Sequence, residues 1–142
     1  GERRSVTDLL LDTCAALWIS ESAALAQAAE DALDRAADQG APIFVSPITA
    51  WEIGLLTARN KLSLPMSPQN WFARLMRAPN LRLTELAPVI LLDSCFLPAR
   101  PPRDPSDRII IATARALDLT IVTRDRLILG YAEAGHVRAL AC

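Results

Sequence analysis

The chain has 142 residues, 51% of them apolar, and a net charge of −1, which is enough for one compact core and too little for a second domain of useful size. The longest apolar runs, such as Ile109 to Ala112, are far too short to cross a bilayer, and no charged-then-apolar leader opens the chain, so a soluble cytoplasmic protein is expected. Cys14, Cys95 and Cys142 are scattered and His136 is the only histidine, which excludes most zinc and disulfide designs and leaves oxygen as the ligand for any metal.

Val6 to Asp12 reads as a buried strand, a short apolar run closed by Asp-Thr. Cys14 to Ile19 reads as a short helix. Ser22 to Gln39 is rich in Ala and Leu with charges along one face, a longer amphipathic helix stopped by Gly40. Ile43, Phe44 and Val45 make a second strand within Pro42 to Ser46. Ser46-Pro47 opens a helix to about Asn60, with proline at a tolerated first-turn position. Pro65 to Pro68 is a loop, and Gln69 to Arg77 a short helix. Leu81 to Leu86 alternates like a strand, and Pro88 to Phe96 reads as a helix ended near Pro98. Arg100-Pro101-Pro102-Arg103 is a stiff loop. Asp104-Pro105 starts the strongest helical signal, running to Leu117. Leu119 to Thr123 is a buried strand, Arg126 to Ala134 a helix stopped at Gly135, and Val137 to Leu140 a last strand.

Strands alternating with helices predict an α/β domain: a central, mostly parallel sheet flanked by helices on both faces. Residues 1–142 form a single domain in this reading, with its core from about residue 6 onward. Trp18, Trp51, Trp71, Phe72, Ile128 and Tyr131 are a large apolar supply for so short a chain. They are expected in the core, with an alternative place on a dimer or partner surface.

Four acids stand at comparable places. Asp12 ends the first strand, and Asp125 directly follows the Leu119–Thr123 strand. Glu52 lies early in the helix after the second strand, and Asp107 lies in the first turn of the Asp104–Leu117 helix. Open parallel sheets form their sites outside the carboxyl ends of the strands. Three of the acids follow a strand there, and Asp107 joins them if its helix starts at the same edge. Converging carboxylates repel, so either their pKa values rise or a divalent cation neutralises them. Hard Mg²⁺ or Mn²⁺ suits oxygen ligands, and such an ion activates water against a phosphodiester. Each acid also has a capping explanation. Asp12 or Thr13 suits the start of the first helix, and Asp104 the N-cap of the helix carrying Asp107. Asp125 suits the cap of the helix that follows it, and Thr49 to Glu52 matches a capping box. Dinucleotide, P-loop and nucleophile-elbow motifs are absent. A phospho-receiver reading lacks its late-strand lysine, since Lys61 is the only one. Fourteen of the fifteen basic residues are arginine, the planar phosphate binder.

Four blocks resemble, in order and spacing, those of the PIN-domain family of VapC-type toxins: Leu10-Leu11-Asp12-Thr13, Ser46 to Gly54, Asp104 to Ala114, and Val122-Thr123-Arg124-Asp125. Lys61 to Pro65, followed by Trp71-Phe72, also looks like this subfamily, and the resemblance runs from about Leu9 to Leu140. It implies a PIN-like fold and a metal-assisted endoribonuclease. Asp12, Glu52 and Asp107 would be catalytic metal ligands, and Asp125 would bind a second ion or ion-bound water. Thr13, Asp104 and Thr123 would support them. Arg103, Arg108 and Arg124 are then candidates to steer the RNA backbone. Pro102 occupies a place where many relatives carry histidine, a departure that touches a peripheral substrate contact. The resemblance further implies a homodimer and inhibition by a VapB-like antitoxin. Two rivals stay open: an RNA-processing or DNA-directed nuclease without antitoxin, and a non-catalytic PIN-like binding module whose acids only cap helices.

Overall fold

The structure is a computed structural model that describes residues 7–142; Val6, where the first strand was expected to begin, lies outside them. The elements are β1 (Leu9–Leu11), α1 (Thr13–Ser20), α2 (Gln27–Asp38), β2 (Ile43–Val45), α3 (Pro47–Ala58), α4 (Pro68–Leu75), β3 (Leu81–Leu83), α5 (Pro88–Ser94), α6 (Pro105–Leu117), β4 (Thr120–Thr123), α7 (Arg126–Glu133) and β5 (Arg138–Ala141). Four of the helices carry proline in their first turn, namely Pro47, Pro68, Pro88 and Pro105. Proline's missing N–H costs nothing there, and its fixed φ suits the helix start.

The sheet has five strands in the order β3-β2-β1-β4-β5, and every pairing is parallel. β1 is central, with Leu10 opposite Phe44 on one side and Ile121 on the other. Its three leucines alternate between faces. Leu9 and Leu11 enter a core with Ala15, Ala29, Ile53, Trp71 and Val122. Leu10 enters the opposite core with Ile110, Ile111, Ala114, Ile121, Ile128 and Tyr131. Helices α1 to α4 thus cover one face, and α6 and α7 the other. This division follows from right-handed crossovers, because the chain reverses its direction across the sheet after β3.

Three expectations are corrected. The helix expected from Ser22 begins only at Gln27, because Ser22 is left-handed (φ 57°) in a turn that closes α1 and the amide of Ala23 bonds the carbonyl of Trp18 at 2.9 Å. The strand expected over Leu81 to Leu86 stops at Leu83, with the approach to Pro88 taking the chain into α5. Thr49 does not cap α3: Ser46 does, accepting the amide of Ile48 at 3.0 Å. Of the large apolar residues expected inside, Trp71, Ile128 and Tyr131 are buried, while Trp51 is 54% exposed. Among the described residues, no helix is long and apolar enough to cross a membrane.

Candidate active site

The order β3-β2-β1-β4-β5 reverses between β1 and β4, and the crevice outside the carboxyl ends of those two strands is where such sheets take ligands. Asp12 leaves β1 at that point, and its amide extends the sheet pairing to the carbonyl of Val122 at 3.2 Å. Its side chain caps α1, with Oδ1 accepting the amide of Ala15 at 2.8 Å. Oδ2 accepts the hydroxyl of Thr123, at the end of β4. The same Thr123 oxygen accepts the amide of Asp125 at 2.9 Å, so one buried hydroxyl ties the two strand-end acids together. Asp125 in turn caps α7, its Oδ1 accepting the amides of Leu127 at 2.8 Å and Ile128 at 3.0 Å.

Glu52 arrives from α3, and the buried Thr13 hydroxyl donates to its Oε1 at 2.5 Å. Thr13 and Thr49 hydroxyls lie 3.1 Å apart, so the residue expected to close a capping box with Glu52 instead braces Glu52's own partner. Helix α6 runs back toward the start of β4, which puts its first turn at the same edge as the strand ends. Asp104 caps it, Oδ2 accepting the amide of Asp107 at 3.0 Å. That cap engages Asp107 through its backbone, not its carboxylate.

The electrostatics show that these acids share one region. Burial pushes the Asp107 carboxyl up to about 7, helped by the negative charges of Asp104, Asp125, Glu52 and Asp12. Burial also raises Glu52, partly offset by the Thr13 hydrogen bond, with Asp104 and Asp12 adding repulsion. Asp12 is raised chiefly by burial, against the opposing hydrogen bonds of Thr123 and Ala15. One residue not singled out from the sequence also sits here. The Cys14 thiol is pushed up to about 11 by burial and by the charges of Asp12, Glu52, Asp107 and Asp125. Its position one residue into α1 beyond Thr13 was the available signal.

Two of the three candidate arginines are engaged inside the protein. Arg108 donates from Nε to the carbonyl of Pro102 at 2.9 Å and from Nη1 to that of Ser94 at 3.3 Å. It therefore clamps the proline-rich loop and the end of α5 onto α6. Arg124 donates to the carbonyls of Cys142 at 2.7 Å and Ala24 at 3.0 Å. Its guanidinium also lies 3.1 Å from the centre of the Trp18 ring, a cation–π contact. Arg103 is exposed beside Asp104. Backbone carbonyls thus hold Arg108 and Arg124 in place, although Arg124, like Arg103, is exposed.

All donors at this edge are oxygens, the ligand type for a hard divalent cation. Like charges brought together at reduced hydration are what such an ion would neutralise, so the donor set fits. Among the described residues, no three acidic, cysteine or histidine side chains are already closed around an ion position. Asp12, Glu52 and Asp125 each turn at least one oxygen to an internal donor. Capping engages Asp125 through Oδ1 alone and Asp104 through Oδ2 alone.

A family model for the PIN domain matches residues 9–133. Ribonuclease VapC22 of Mycobacterium tuberculosis is 31% identical over 122 residues, which is 85% of this chain and 89% of that protein. Among solved structures, VapBC2 from Rickettsia felis bound to a promoter DNA fragment aligns with a TM-score of 0.66 at 14% identity, covering 94% of this chain and 98% of that one. DNA-bound VapBC from Salmonella typhimurium aligns with a TM-score of 0.64 at 16% identity, covering 96% and 98%. FitAcB from Neisseria gonorrhoeae aligns at 0.56 with 20% identity, covering 93% and 96%. At these identities the structural likeness is one of fold.

Proposed function

Because this chain belongs to the PIN-domain family and resembles a VapC-type ribonuclease along most of its length, we propose that it is a divalent-metal-dependent endoribonuclease, the toxin of a toxin–antitoxin pair. The observation that carries this reading is the gathering of Asp12, Glu52, Asp107 and Asp125 from four separate elements at the switch point of a parallel sheet. Asp12, Glu52 and Asp107 would hold Mg²⁺ or Mn²⁺, and Asp125 would complete the site. When bound, the ion supplies acidity to an attacking water and positive charge to the phosphodiester.

The chain's own residues do the rest. Thr123 fixes Asp12 and Asp125 relative to each other, and Thr13 fixes the rotamer of Glu52. Asp104 holds the first turn of α6 and, by its charge, adds to the burial that raises the carboxyls of Asp107 and Glu52. Arg103, exposed beside Asp104, would meet RNA phosphate. The partners in this reading are an RNA substrate, a VapB-like antitoxin and a second copy of the chain. The support for the antitoxin is that solved relatives of the same fold are VapBC complexes.

The test is incubation of the purified protein with total RNA and Mg²⁺ or Mn²⁺, followed by mapping of new 5′ ends. Discrete cuts are expected, absent in EDTA and reduced at least about 100-fold in Asp12→Asn, whose circular dichroism stays native. Full activity in that variant overturns the assignment. The capping geometry of Asp12, Asp104 and Asp125 favours one second reading, a non-catalytic binding module. Calorimetry showing no divalent-ion binding, together with intact RNA, would establish it instead.

A further inference from the structure

The chain has three tryptophans, and two are fixed within the protein. Trp71 is 5% exposed and donates its indole N–H to Ser20 at 3.2 Å. Trp18 lies under the Arg124 guanidinium. Trp51 alone is left largely in solvent, 54% exposed, and it is the residue immediately before Glu52 on α3. Adjacent Cα atoms are about 3.8 Å apart and consecutive side chains leave a helix about 100° apart, so the indole flanks the acidic site from the neighbouring face of α3.

An exposed indole offers a large apolar π-face that a ligand can cover. The neighbouring charges restrict what that is. Around Glu52 the local field is negative, from Asp104 and Asp12 as well as Glu52 itself. Phosphate is repelled there except where a cation or Arg103 compensates, and an acidic partner surface is repelled likewise. A nucleobase is uncharged, presents a π-face, and gains from stacking on tryptophan without regard to its sequence. Stacking is therefore the contact by which a nucleic acid strand gains affinity next to an acidic centre.

We infer that Trp51 is a stacking platform for an unpaired base of single-stranded RNA, seating the strand so that its backbone crosses the acidic site. The inference rests on the ribonuclease reading for its substrate. Its physical content is a stacking residue that positions RNA without taking part in the bond-breaking step.

The test uses a short mixed-sequence oligoribonucleotide and an abasic oligomer of equal charge, mixed rapidly with the protein in Mg²⁺. Binding is read by tryptophan fluorescence and by anisotropy of the labelled strand. RNA is expected to quench the wild type, and the abasic strand is not. Trp51→Phe abolishes the quenching but binds within a few-fold of wild type. Trp51→Ala binds about 5- to 150-fold more weakly, with KM raised in that proportion and kcat little changed. The ratio between wild type and Trp51→Ala stays constant as salt rises, because stacking releases no counterions, whereas the effect of Arg103→Ala shrinks.

Equal affinity of Trp51→Ala and wild type overturns the inference, as does equal quenching by the abasic strand. A drop from dimer to monomer in light scattering with RNA affinity unchanged assigns Trp51 to a protein interface and also overturns it. Failure of the ribonuclease reading looks different: RNA binds and quenches but is never cut. A protein that neither binds nor cuts RNA refutes both.

Discussion

Asp107 is the residue at which burial and like charge meet. Its carboxyl titrates at about 7 in the folded protein, against about 3.9 in an unfolded chain. Between those values the metal-free folded state keeps a proton that the unfolded chain has lost, so this group's contribution to stability is greatest below about pH 4 and is lost as pH rises through about 7. The raised values of Glu52 and Asp12 act with the same sign. The site is partly open to water, so the Asp107 share is about 1–2 kcal/mol. Thermal melts in EDTA are expected to show Tm falling from about pH 5 to about pH 8, with Asp107→Asn flattening the slope and raising Tm at the alkaline end. Saturating Mg²⁺ should restore Tm in the wild type and not in the variant. A steeper slope in Asp107→Asn would mean that its place near the helix dipole outweighs the repulsion. The acids were legible in the sequence one by one, as residues after strands or at helix starts. Their mutual repulsion was legible only as a condition, since it requires α6 to begin at the strand-end edge. Cys14 offered only its place beside Asp12-Thr13, because a lone cysteine carries no pattern of its own.

At the level of elements, the helix starts serve two purposes. The caps of α1, α6 and α7 are Asp12, Asp104 and Asp125, so the groups that end each helix also bring charge to the site. Removing one should therefore have opposing effects. Asp104→Ala forfeits a cap, a loss of about 0.5–2 kcal/mol. It also removes the largest neighbouring negative charge acting on both Asp107 and Glu52. The variant is expected to be destabilised more near about pH 5.5, where Asp107 is protonated, than near about pH 8, where lost repulsion offsets the lost cap. Urea melts at the two pH values check this, and an equal loss at both would leave Asp104 as a cap alone. Most elements were readable because proline and capping residues punctuate them in the chain: Ser46-Pro47, Asp104-Pro105, Gly135. The misjudged start of α2 shows the limit. Ser22 looks like a helix start, but the tertiary turn after α1 puts it in the left-handed region and delays the helix to Gln27.

For the whole molecule, β1 is the element on which the rest depends. Leu10 is fully buried between β2 and β4, in the core that α6 and α7 cover. Leu10→Ala is expected to cost about 2–5 kcal/mol, read as a fall in urea midpoint at unchanged slope. A cost under about 1 kcal/mol would mean that the α6 face closes over the gap. Because β1 leads directly into Asp12, the same variant should also weaken Mg²⁺ affinity, which calorimetry can measure. The sequence by itself determined the α/β class and the two-sided core, because period-2 and period-3.6 apolar patterns are local properties of the chain. It also determined the candidate acids and the family they resemble, through the order and spacing of short motifs. Tertiary structure alone decided which of these residues lie together. Strand order puts the switch point between β1 and β4, Thr123 reaches across it to Asp12, and backbone carbonyls far along the chain take up Arg108 and Arg124. Those contacts join residues distant in sequence, and no local pattern encodes a distance across a sheet.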